Sequence, residues 1–322
     1  MKVRQLIHGI ATFVPGVNRY RAKGTGGTDS ARYCYSVWLR HLVMAKANGL
    51  NPYPKIVAEL GPGDSLGAGL AALISGCEKY FAFDVVTHAN ADRNAHIFDE
   101  LLHLFKTRAP IPGPDEFPLL KPYLDDYAFP ADILDPGRLQ DALSPLRIKR
   151  IRDSIFERGR HDSMIQYKVP WYEEDILEKH SVDMIFSQAV LEYVDDLKGT
   201  YAAMHSWLKP AGYMSHQIDF KCHGTADEWN GHWMYSEFVW KLLRGKRAYF
   251  PNREPHSTHL SNLERGFEVV CDKTINSKSK ITLKDLAPRF RLIPASDLVT
   301  SGAFIQAIRQ VSQFRKNGQG TG

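Results

Sequence analysis

The chain has 322 residues, 24% charged and 43% apolar, with a formal net charge of +5 and a pI near 8.9. This is ordinary globular composition, with length for one large core or two small ones, and no apolar run is long enough to span a bilayer. The four cysteines, Cys34, Cys77, Cys222 and Cys271, have no paired spacing, which excludes zinc ribbons and disulfide frameworks and points to a reducing, cytoplasmic setting.

To about Asn51 the chain reads as mostly helical. After the bend "AKGTGGTDS", Thr28, Asp29 and Ser30 suit an N-cap for "ARYCYSVWLRHLVMAKANGL". The start, "RQLIHGIATFVPGV", is short, holds a His and a Pro, and lacks a small-residue cleavage site, so no signal peptide is expected. From Lys55 strands and helices alternate, the pattern of a parallel sheet covered on both faces. "KIVAEL" is a short buried strand, "GAGLAALISG" a helix closed by Gly76, and "KYFAFDVV" a second strand. Residues 109–160 break the rhythm and read as an insertion or lid. "MIQYKVPW" and "SVDMIFSQAV" restore it as strands, followed by the helix "LEYVDDLKGTYAAMHSWL" and the strand "MSHQIDF". A second irregular piece starts at Lys221. "LSNLERGFEVVCDKTI" then reads as helix and strand, and "TSGAFIQAIRQV" as the last strand. The predicted division is an N-terminal helical cover at 1–51 and an α/β domain at 52–322, with insertions at about 109–168 and 221–257. The basic pieces "RLQDALSPLRIKRIRDSIFERGR" and "WKLLRGKR" are interleaved with acids or apolar residues. They fit a solvated helix face, or attraction to an anionic substrate or membrane surface.

Open sheets of this kind bind ligands outside the carboxyl ends of their strands. That rim would hold Gly61 to Ser65, Asp84, Trp171, Ser187 to Ala189 and Gln217 to Phe220. The turn "GPGDSLG" has no Lys, so it is no P-loop. Its third glycine is one residue late for the dinucleotide fingerprint, which leaves the longer spacing of some nicotinamide reductases open. Against that stand Glu59, which would repel a pyrophosphate, and the lack of any Tyr followed four residues later by Lys. An acid there suits a cationic ligand without phosphates, such as S-adenosylmethionine. Gly61 and Gly63 let backbone approach closely, and Asp84, 21 residues after Gly63, can accept both ribose hydroxyls.

"VAELGPGDS", "YFAFDV" and "SVDMIFSQAVLEYVDDLKGTYAAMHSWLKPAGY", in that order, resemble class I S-adenosylmethionine-dependent methyltransferases from Lys55 to about Phe220, and "RGFEVV" resembles the late helix-to-strand step. More narrowly, "ELGPGDSLG" with "HGTADEWNGHWMYSEFVWKLLRG" resembles bacterial methyltransferases of surface-glycan or secondary-metabolite synthesis. The resemblance implies a Rossmann-like, mostly parallel seven-stranded sheet with helices on both faces and lid insertions. It implies that Glu59, Gly61, Pro62, Gly63 and Ser65 surround the methionine part of the cofactor. Asp84 would hold the ribose, with Val85 beside the adenine and Trp171 and Tyr172 flanking it. Ser187, Gln188 and Ala189 would border methyl group and acceptor, and Tyr33 or Tyr35 would approach the methionine end. Asp64-Ser65 in place of the third glycine, and Ala211 in the late turn, depart from the pattern by small changes only.

Methyl transfer to a hydroxyl needs an aligned acceptor and a base. The most polar stretch, "SHQIDFKCHGTADEWNGHW", offers His216, Asp219, His223 and His232; alternation puts Gln217 and Asp219 on one strand face and His216 on the other. No tight ligand spacing supports a divalent metal. Trp229, Trp233 and Trp240 suit either core packing or an aromatic platform. The expected activity is methylation, chiefly at oxygen, of a small molecule or glycan. A reductase and a non-catalytic relative of the fold stand as alternatives. A nucleic-acid acceptor lacks a concentrated basic face, and "SQAVL" replaces the motif used on flipped bases.

Overall fold

The computed structural model describes residues 2–14, 27–88, 90–157, 160–171 and 174–310. Seven strands form one sheet: β1 (Ile56–Leu60), β2 (Lys79–Phe83), β3 (Ile165–Lys168), β4 (Val182–Gln188), β5 (Leu208–Asp219), β6 (Phe267–Asn276) and β7 (Thr300–Arg309). Their order is β3-β2-β1-β4-β5-β7-β6. β1 to β5 run parallel, and β7 inserts antiparallel between β5 and β6.

Strand alternation divides the core between the two faces of the sheet. Val57, Met184, Phe186 and Tyr213 pack with α2 (Ala31–Ala47), α3 (Gly67–Ile74) and α4 (Ala91–Lys106). Ala58, Leu60, Ile185, Met214 and Ile218 face α7 (Leu197–Trp207) and α9 (His256–Leu263). The helix α1 (Val3–Ala11) lies apart from both, against α8 (Glu237–Arg244).

Two expectations about the periphery change. The N-terminal segment is more than a cover: α2, capped by Ser30, buries Tyr35, Trp38, Leu39 and Leu42 as a core layer. The piece expected as a lid at 109–168 is also core. Fully buried Arg40 donates to the carbonyls of Pro112, Leu120 and Pro122 at 3.0, 3.1 and 2.5 Å, and Tyr35 donates to that of Ala109 at 2.7 Å. Carbonyls without strand partners are thereby satisfied by one guanidinium fork, and the segment is held against α2. Ile111, Leu120, Ile133 and Leu134 join the same core, as do Leu139 of α5 (Pro136–Ala142) and Ile151 and Ile155 of α6 (Pro145–Phe156), and the end of the expected lid is strand β3 itself.

Helix α3 approaches the sheet through its glycines. A Cβ on Gly69 would lie 1.9 Å from the Tyr80 ring. Gly69→Ala is therefore expected to destabilise the protein by about 1–3 kcal/mol through overpacking, read as a lower denaturant midpoint with unchanged slope.

Candidate cofactor and acceptor site

The β1–α3 turn places two glycines in the left-handed region, Gly61 at φ +62 and Gly63 at +73. A side chain on Gly61 would also strike Val190 at 2.6 Å, so the turn and the β4 exit are in contact. The rest of the turn is tied inward. The Asp64 amide donates to Thr28 Oγ1 at 2.9 Å, the Leu66 amide to Asn94 Oδ1 at 2.9 Å, and the Ser65 hydroxyl to the Thr28 carbonyl. Ser65 Oγ also accepts from the Gly67 amide at 3.0 Å.

A cleft of about 710 Å³ opens beyond the strand ends. Gly61, Gly63, Asp84, Val85, Trp171, Gln188 and Ala189 line it, which brings together seven of the residues singled out in the sequence. Four others stand elsewhere. Glu59 points under the turn, where it is buried and accepts the Tyr80 hydroxyl. Pro62 is buried and Ser65 is spent on the turn itself; neither lines the cleft. Ser187 is fully buried behind the rim, bonded to His216 Nδ1 at 2.8 Å. Tyr172 lies outside the described residues.

Asp84 Oδ1 accepts from the amide of Val85 at 2.7 Å and of Val86 at 3.4 Å. Burial raises its pKa, against these amides. The Trp171 ring lies 5.6 Å from those of Phe83 and Trp207, so it is both cleft wall and core edge. Ala189 has φ +55, uncommon for a residue with a side chain, and its amide donates to the Gln217 carbonyl at 2.9 Å. Gln188 Oε1 is buried with no hydrogen-bond partner among the described residues.

Sequence reasoning missed several contributors. Thr28 enters from the N-terminal segment, Tyr193, Asp195 and Asp196 follow β4, Gly199 and Thr200 begin α7, and Tyr249 follows α8. Among the residues lining the cleft there is no Lys or Arg, whereas Asp84 and Asp196 contribute, and Asp195 lines it with its carboxylate paired to Arg244. Such a lining favours a cationic ligand and would repel a pyrophosphate. Of the two tyrosines expected near the methionine end, Tyr33 lines the cleft; Tyr35 is fully buried, edge-on to Phe105.

The four candidate catalytic residues separate clearly. His216 and His232 are walled in, at 1% and 2% exposure, and burial lowers each pKa to about 3. His216 alternates with Met214 and Ile218 onto the α9 side of the sheet, and His232 stacks on Trp233. Both are neutral packing residues, which corrects their reading as candidate bases. Asp219 and His223 are beside the cleft. Asp219 accepts from the Lys221 amide at 2.9 Å, and His223 Nδ1 is 3.2 Å from the Tyr193 hydroxyl. Burial lowers the His223 pKa, and Asp219 opposes that shift. Glu192, beside Tyr193 in the turn after β4, is buried, and neither carboxyl oxygen has a hydrogen-bond partner among the described residues; burial drives its pKa well up. Trp233 and Trp240 pack around buried Arg253, whose guanidinium is 4.8 Å from the Trp240 ring and 5.0 Å from Phe290, so the tryptophan series forms a satellite core.

Glu59 also makes stability depend on pH. Burial raises its pKa from 4.5 to about 8, so the folded state binds a proton over a range where the unfolded chain has lost it. This contribution is complete below about pH 4.5 and declines as pH rises through about 8. Glu59→Gln should make the fall in unfolding free energy between about pH 5 and pH 8 shallower, measured by urea titration at each pH.

Residues 143–215 match the family model of a methyltransferase domain. No curated protein matches the chain. Among solved structures it is similar to an S-adenosylmethionine-dependent methyltransferase from Mesorhizobium loti, at 14% identity and TM-score 0.39 over 85% of this chain and 98% of that one. It is also similar to Haemonchus contortus phosphoethanolamine N-methyltransferase 2 in complex with S-adenosylmethionine, at 14% identity and TM-score 0.43 over 92% of this chain and 59% of that one. Residues 143–215, which run from the C-terminal end of α5 through α6, β3, β4 and α7 into β5 of the seven-stranded sheet, thus carry a methyltransferase-domain sequence.

Proposed function

We propose that this enzyme methylates an oxygen on a small molecule or glycan, with Asp219, His223 and Tyr193 handling the proton. The observation that carries the reading is the Tyr193–His223 hydrogen bond at the cleft wall, with Asp219 in electrostatic reach of the imidazole.

The residues present fit the cofactor. The cleft has acids and no Lys or Arg, Gln188 offers an unused buried acceptor, and the Gly61–Gly63 backbone is bare. Asp84 would accept the ribose hydroxyls, with Val85 and Trp171 beside the adenine. Gly61, Gly63 and Tyr33 would surround the methionine end, and Gln188 and Ala189 would border the methyl group. The bound cofactor supplies an electrophilic methyl on a sulfonium. The chain's own work is to align an acceptor hydroxyl opposite the departing sulfur and to remove its proton. Tyr193 would pass that proton to His223 Nδ1 as it accepts the one from the acceptor. Burial and the nearby carboxyls of Glu192 and Asp219 raise the Tyr193 pKa, which keeps the phenol protonated as a relay requires. The lowered pKa of His223 keeps the imidazole neutral near pH 7, ready to accept. The piece at 221–257, which contributes His223 and Tyr249, would form the acceptor side.

Asp84→Ala should weaken S-adenosylhomocysteine binding about 10- to 100-fold by calorimetry, the loss of charge-assisted hydrogen bonds. Binding of NADPH in its place would instead favour a reductase, and binding of neither a non-catalytic protein. For the base, His223→Ala should lower kcat about 10²- to 10⁴-fold with cofactor affinity preserved. The acid limb of kcat should lie below the ordinary imidazole value of 6.5. Because Asp219 raises the His223 pKa, Asp219→Asn should move that limb to still lower pH. A limb that stays in place would remove Asp219 from the relay. Product mass, higher by about 14 daltons than the acceptor, identifies the transfer.

A further inference from the structure

We propose that α1 and α8 form a docking face for an anionic lipid surface. Val3, Ile7 and Ile10 share one stripe of α1, continued beyond its end by Phe13 and Val14. Their exposures are 62, 58, 46, 46 and 57%. Scattered exposed apolar residues are ordinary; a continuous stripe on one helix is not.

The stripe is held in place from behind. Leu6 packs with Trp240, Leu243 and Phe250. Gly9 lies so close to α8 that a Cβ would be 2.1 Å from the Leu242 carbonyl oxygen. Thr12 Oγ1 accepts from the Lys246 amide at 2.7 Å and donates to the Gly9 carbonyl at 2.6 Å. One side of α1 is therefore satisfied by packing, and its outer side is apolar without a cover among the described residues.

Charge selects the occupant. Residues 2–14 contain Lys2 and Arg4 and no acid, and residues 238–250 contain Lys241, Arg244, Lys246 and Arg247 and no acid. Lys246 sits 5.8 Å from the Phe13 ring, so cation and apolar surface are adjacent. Arg244 is partly neutralised by Asp195, and Lys2 reaches Asp227 only at 3.7 Å with both side chains exposed. Apolar side chains ringed by cations match the headgroup–acyl boundary of an anionic leaflet. A second copy of this chain would set the same cations against each other. The face also adjoins the cleft, since Ala248 and Tyr249, just after α8, line its wall. A lipid-borne acceptor could then reach the site without leaving the bilayer surface.

The test is co-sedimentation of the full chain with vesicles of phosphatidylcholine alone or with about a third phosphatidylglycerol. The protein should pellet with the anionic vesicles, release as salt is raised, and partition at least about tenfold more weakly as Ile7→Asp/Ile10→Asp. Both positions are exposed, and an unchanged thermal midpoint would show that the variant folds. Three results would overturn the proposal. They are no pelleting with anionic vesicles, equal pelleting of the variant, and a lipid-free dimer in sedimentation velocity that the two Asp substitutions dissolve. The last would make a second copy the occupant.

Discussion

The turn from Gly61 to Leu66 cannot hold its shape with its own hydrogen bonds. It takes acceptors from two neighbours, Thr28 ahead of α2 and Asn94 on α4, while Glu59 is fixed beneath it by Tyr80. Both neighbours are carried by helices whose burial is nearly complete on one side, so the turn is only as well placed as the layer behind it. This makes the α2–α3–α4 layer part of what shapes the candidate cofactor cleft. Arg40 with the carbonyls it binds, and Trp38 with the Ser75 hydroxyl it donates to, help place the turn although none of them lines the cleft.

The electrostatics of the cleft follow from the same arrangement. Amides of the turn are consumed by the side chains of Thr28, Asn94 and Ser65, so few remain to attract an anion. The β4 exit then brings Asp195 and Asp196 to the rim, with Asp196 capping α7 through the Gly199 amide at 2.9 Å. Helix starts elsewhere hold phosphates; here one is occupied by a carboxylate of the chain itself. The site's preference for a cation is thus a property of its backbone as much as of its side chains.

The strands were legible because buried parallel strands are short apolar runs between turn residues, and Asp84 because it ends one of them. Strand alternation also separated His216 from Asp219 correctly. Glu59 was misplaced by position alone: a residue two before the first glycine sits near the cofactor in sequence, but the pleat turns it under α3. His232 was misread because polarity in a sequence does not report burial. The segment from Ala109 looked like a lid because proline breaks periodicity; the Arg40 fork that draws it inward joins residues 72 or more positions apart, and no local pattern announces that. Thr28, Tyr193 and Tyr249 were missed for the same reason, since three separate connections bring them to one wall.

The position of β7 bears on how the molecule comes to exist. Thr300–Arg309 fills the slot between β5 and β6, and the Gln306 amide bonds Ser215 at 3.0 Å there. A nascent chain lacking these ten residues has made every other strand yet cannot join β6 to the sheet. Until they emerge, the seven residues of β5 from Tyr213 to Asp219 keep a bare edge, long enough to pair with another unfinished chain. The vulnerable interval lasts until β7 is in place, and a helper that shields the β5 edge would act there.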